Sequence, residues 1–163
     1  MKYLNFILLF CTPMLTFSIN DNEAQERFLI NNFSISKNNE EKLRSSLDLF
    51  YFYKENLNDL NKAKPYLYEA QSISNKSKLG PEFEIELLRA FGWKFFEEKN
   101  YIDAFSNFDK AVRQAFSKNI DSSYIKAKLD LAELYTKIRN YYVAEITLNE
   151  CLVFFYKNQR YLD

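Results

Sequence analysis

The chain has 163 residues, 47% of them hydrophobic, enough for one ordinary globular domain and too apolar for a disordered segment. Only 2 Gly and 3 Pro are present, too few for the turns of a compact all-β fold, so long helices with short connections are expected. Lys and Arg number 22 against 22 Asp and Glu, and His is absent. Nucleic acid is therefore not an expected partner, and the commonest general base and metal ligand are missing.

Met1-Lys2 and the apolar run from Tyr3 to Leu15, followed by Thr16-Phe17-Ser18, have the three-part plan of a secretory signal peptide cut after Ser18. The apolar run is shorter than the roughly 20 residues that span a bilayer. An uncleaved anchor, or a lipoprotein signal using Cys11, are the alternatives. Without Lys2 the exported chain carries 21 basic and 22 acidic residues, a net charge of −1. It is expected outside the cytoplasm, with no stable membrane insertion after cleavage. Cys151 is then its one cysteine and reads as a small buried hydrophobe.

Residues 19–39 form a polar, Asn-rich segment with room for one short helix. From Glu40 apolar residues recur at steps of three and four, the signature of an amphipathic helix. Leu43, Leu47, Phe50 and Tyr51 make the first stripe. Asp59 caps the second helix, which carries Leu60, Ala63, Leu67 and Ala70 and is expected to bend at Pro65. Gly80-Pro81 opens the third, with Leu87, Leu88, Phe91 and Phe95 on its face. Residues 101–117 follow, then a helix over 124–138 capped by Asp121 or Ser122, then one over 141–157.

The helices repeat. KNYIDAFSNFDKAV (residues 99–112) matches RNYYVAEITLNECL (139–152) at an offset of 40, and DLNKAKPYLYEAQ (59–71) joins the series at 41. Units of nearly one spacing indicate stacked supersecondary repeats. One unit reads Leu88, Phe91-Gly92, Phe95, then Ala104, Phe108, Ala111. The next reads Leu131-Ala132, Tyr135, then Ala144, Leu148, Cys151. Gly92 and Ala132 are small so that the two helices of a unit approach closely.

This pattern resembles the tetratricopeptide repeat family, in units longer than its usual 34 residues, a variety similar to that of bacterial regulators and peptide-sensing proteins. The resemblance implies an all-α, right-handed α-α solenoid of about three helix–turn–helix repeats. Residues 40–80 form a degenerate unit, and 81–120 and 121–160 form two full ones. It also implies a concave groove lined by the first helix of each unit, with Phe52, Arg89, Trp93, Phe96, Lys126, Glu133 and Lys137 as candidate ligand contacts. Trp93 and Phe96 would be exposed anchors there, or would pack against the neighbouring unit.

No catalytic residue, metal site or cofactor is expected. The resemblance implies an exported scaffold, not an enzyme, that binds a protein or peptide. The alternative is the sensory portion of a membrane-associated bacterial regulator. Leu148, Leu152 and Phe155 leave an apolar face partly uncovered, so self-association through the C-terminal repeat is a further expectation.

Overall fold

A computed structural model describes residues 21–159. These residues are helical throughout, with short turns and no strand. The helices are α1 (residues 21–35), α2 (Asn39–Glu55), α3 (Leu60–Lys76), α4 (Pro81–Glu97), α5 (Tyr101–Ser117), α6 (Asp121–Lys137) and α7 (Tyr141–Gln159). The expected leader lies outside the described residues. Among the described residues no helix is long and apolar enough to cross a membrane.

The chain divides into two compact units between Glu69 and Ala70. In the first, Asn38 caps α2 by accepting the Glu41 N–H at 2.9 Å, which satisfies a donor the first turn leaves open. Asp59 accepts the Lys62 N–H at 3.0 Å, and α3 runs on through Pro65. Aromatic rings join the three helices. Tyr53 stacks on Tyr66 at 5.6 Å, and Phe33 meets Tyr66 edge-on at 5.5 Å. Lys42 lies 3.4 Å from the centre of the Phe33 ring and donates to the Phe33 carbonyl at 2.6 Å. The Tyr53 hydroxyl donates to Glu26 at 2.7 Å. Burial and this carboxylate push the Tyr53 phenol well above its ordinary pKa.

In the second unit α4 packs on α5, α5 on α6 and α6 on α7, while α4 also touches α6. Small side chains at helical spacing make these contacts close: Ala104, Ala111 and Ala115 of α5 and Ala127 of α6 have no exposed surface. The sequence offset of 40 reappears, since α4 and α6 begin at residues 81 and 121 and α5 and α7 at 101 and 141. The helix starts are thus twenty residues apart, and the turns between them are alike.

Each of those turns places a residue with a side chain in the left-handed region: Lys99 at φ 60°, Asn119 at 55° and Arg139 at 64°. Around Lys99, the N–H of Asn100 bonds the Phe95 carbonyl and that of Lys99 bonds the Phe96 carbonyl, both at 2.9 Å. Ile120 and Asn119, then Asn140 and Arg139, repeat the pattern. This two-bond closure normally uses glycine, because a Cβ in the left-handed region crowds its own backbone. Lys99→Gly and Arg139→Gly are each expected to stabilise the protein by about 1 kcal/mol. The urea midpoint of each variant checks this, and an unchanged midpoint would show that the strain is relieved some other way. Asn119 tolerates the conformation better and gains less on the same change.

One cap differs from expectation. The residue before α6 is Ile120, with no side-chain cap, and Asp121 is already helical. Asn100 and Asn140 occupy the corresponding places before α5 and α7, where their side chains accept the Asp103 and Val143 N–H groups.

Candidate functional site

Two surfaces of the second unit come into question: the side of α4 and α6 singled out by the sequence, and a groove on the opposite side of α4.

On the first, α4 carries Glu86, Arg89, Trp93 and Phe96, and α6 carries Lys126, Asp130, Glu133 and Lys137. Arg89 and Trp93 converge on Asp130. Arg89 Nε donates to Asp130 Oδ2 at 2.5 Å and Nη2 to Oδ1 at 3.2 Å. The Trp93 indole N–H donates to Oδ1 at 3.0 Å. Glu86 holds the other edge of the guanidinium at 2.8 and 3.0 Å. Arg89 and Asp130 are enclosed, with side chains 12% and 9% exposed. Burial pushes the Asp130 carboxyl above the ordinary aspartate value, and the Arg89 guanidinium and the indole hydrogen bond pull it back. A buried charge with three donors on it is a structural tie between α4 and α6.

The expectation of Trp93 as an exposed anchor is therefore corrected. Its ring is 4% exposed, edge-on to Phe108 at 5.1 Å and to Phe96 at 5.6 Å. It packs against the neighbouring helices, as the alternative had it, because its one polar atom finds a buried carboxylate on α6. Phe52, in the other unit, is 3% exposed and likewise offers no ring to solvent. Phe96 is half-buried, with Tyr101 at 5.5 Å on its far side. Lys126, Glu133 and Lys137 are exposed and line one stripe of α6, but they do not enter the Arg89–Asp130 cluster. Asp130 went unnoticed in the sequence. Its signal is that it stands forty residues after Ala90, a charged residue at a position the other unit fills with a fully buried alanine.

The opposite side of α4 is open. There a groove of about 540 Å³ has Leu87, Leu88, Phe91 and Phe95 as its floor. Gln71, Ser74 and Asn75 from the end of α3 form one wall, and Asn107 and Gln114 of α5 form the other. Glu84 is its one charged lining residue. Leu88, Phe91 and Phe95 were expected to pack inward as repeat-defining residues, yet all three are only half-buried. The reason is that α5 and α6 take other faces of α4: Gly92 lies against Phe108 of α5, and Arg89 and Trp93 reach α6. The remaining expected core residues Ala104, Phe108, Ala111, Leu131, Ala132, Ala144 and Cys151 are buried. Tyr135 is half-buried against Phe105 at 6.2 Å, and Leu148 is exposed.

Chemically, the groove can hold an extended apolar chain. Each carboxamide offers both N–H and C=O, the two groups an extended backbone repeats at every residue. From Glu84 to Phe95 the α4 floor runs about 16 Å at 1.5 Å per residue, the length of about five extended residues. Among the described residues no cluster of three possible metal ligands occurs. No family model, curated protein or solved structure matches the chain.

Proposed function

We propose that this protein is a non-enzymatic scaffold of the tetratricopeptide kind, exported through its leader, which binds an extended peptide or unfolded segment of another protein. The observation that carries this reading is the groove over α4, with its apolar floor and its carboxamide walls. An apolar floor takes alternate side chains of an extended ligand, while main-chain hydrogen bonds give affinity independent of sequence. The forty-residue repeat and the run of paired helices support a right-handed solenoid, in which such grooves lie between successive helices.

The groove, rather than the α4–α6 face, is the proposed site. Asn75 and Gln114 are exposed, so replacing them leaves the fold intact. A pool of capped, uncharged apolar hexapeptides is expected to be retained by the immobilised protein. Asn75→Ala/Gln114→Ala is expected to weaken retention about tenfold, the loss of two hydrogen bonds of about 0.5–1.5 kcal/mol each. Lys126→Ala/Lys137→Ala is expected to have no effect. Loss in the lysine variant instead would move the site to the α4–α6 face, and no retention by the parent protein would refute peptide binding. Trp93→Ala is unsuited as a test, since it empties part of the core.

A further inference from the structure

α5 and α7 are equivalent helices forty residues apart, yet their surroundings differ. α5 is covered by α4 on one side and α6 on the other, whereas α7 packs only on α6 among the described residues. Phe108, Val112 and Ala115 of α5 are 0%, 9% and 0% exposed. Their counterparts Leu148, Leu152 and Phe155 are 42%, 52% and 51% exposed, and larger than alanine or valine at two of the three positions. The outward side differs too. Ser106 and Arg113 of α5 become Ile146 and Val153 in α7, both more than two-fifths exposed. A helix with an apolar face this broad belongs against a partner.

The extent of the face identifies a partner. Eight large apolar side chains of α7 are at least 41% exposed, with Tyr142 at 74% and Tyr156 at 64%. At about 150–250 Å² per aromatic ring they expose on the order of 800 Å², beyond the roughly 300–600 Å² of a typical monomer's largest patch. That area is what each side of a standard stable interface contributes, about 800 Å². The exported chain carries a net charge of only −1, so two copies meet with little mutual repulsion. Glu145 lies within the outward arc, and Glu150 and Lys157 border it, so the face carries both signs and no run of like charge to match a charged partner.

We propose that α7 is a dimerisation helix, and that its outward face is covered by α7 of a second copy in a two-fold, antiparallel pairing. The antiparallel arrangement keeps the two Glu145 side chains at opposite ends and turns each toward the Lys157 end of the other helix. A shallow groove of about 390 Å³ between Tyr124, Ile146 and Val153 gives the incoming rings a place to seat. A two-fold contact closes at two copies, while a head-to-tail contact would continue to grow.

Sedimentation velocity on the full exported chain, over a range from nanomolar to high micromolar, tests this. The expected result is a monomer–dimer equilibrium with no larger species. Leu152→Glu and, separately, Val153→Lys are expected to give a monomer throughout with unchanged helical circular dichroism. A monomer at every concentration in the parent protein overturns the proposal. So does a series of species growing with concentration, which marks a head-to-tail contact, or a dimer that both folded variants retain.

Discussion

Asp130→Ala is expected to lower the unfolding free energy by about 3 kcal/mol, the lower end of the cost of removing one partner of a buried ion pair. Three N–H donors on two side chains lose their acceptor together. The Arg89 guanidinium, 12% exposed, keeps Glu86, which is why the lower end applies. The Trp93 indole N–H is left in a ring 4% exposed, where an unpaired donor costs about 1–3 kcal/mol. For a domain of this size the melting temperature should fall by about 2–4 °C per kcal/mol, so a drop near 10 °C is the readout. Asp130→Asn keeps an acceptor for the indole and should lose less. Arg89→Met/Asp130→Asn removes the uncompensated charge as well and should recover part of the difference. Equal melting temperatures for the parent protein and Asp130→Ala would show that the tie between α4 and α6 contributes nothing.

That tie also explains why the sequence misjudged which side of α4 faces inward. Periodicity locates a helix reliably when apolar residues occupy one stripe, as in α5, where Ala104, Phe108, Ala111 and Ala115 are all buried. In α4 apolar residues occupy more than half the circumference, since Phe83, Ile85, Leu87, Leu88, Phe91, Trp93, Phe95 and Phe96 all lie within one helix. The period then fixes the helix but not its inward side. Neighbours decide that, and the deciding neighbour was a carboxylate 37 residues away from the indole it binds. A buried aspartate is rare enough to be read as surface unless its partner is known. The turns were legible as turns, but the left-handed Lys99 and Arg139 were not, because glycine is the usual sign of that closure. The side of α7 was legible for the opposite reason: Leu148, Leu152 and Phe155 repeat a stripe whose partner helix has no counterpart in the described residues.

Gly92→Ala is the second substitution with a large expected effect, and it tests the repeat itself. A Cβ on Gly92 would lie 2.4 Å from Cε1 and 2.6 Å from Cδ1 of Phe108. Phe108 has no exposed surface, and its ring meets Trp93, which is held by Asp130. The ring therefore cannot swing aside without loosening the α4–α6 tie. Overpacking of this kind costs about 1–3 kcal/mol, and so deep an overlap belongs at the upper end. The better helix propensity of alanine returns about 1 kcal/mol, leaving a net loss of about 2 kcal/mol. Forty residues on, the same two positions hold Ala132 and Leu148: a methyl group replaces hydrogen and a smaller side chain replaces the ring. If the repeat positions are equivalent, Phe108→Leu should make room for the methyl group that Gly92→Ala introduces. Gly92→Ala/Phe108→Leu is then expected to be more stable than the sum of its single changes predicts, by an interaction energy of about 1 kcal/mol in a double-mutant cycle. Strict additivity in thermal melts would mean that the two residues do not limit each other, and that the small residue of α4 is not what sets its approach to α5.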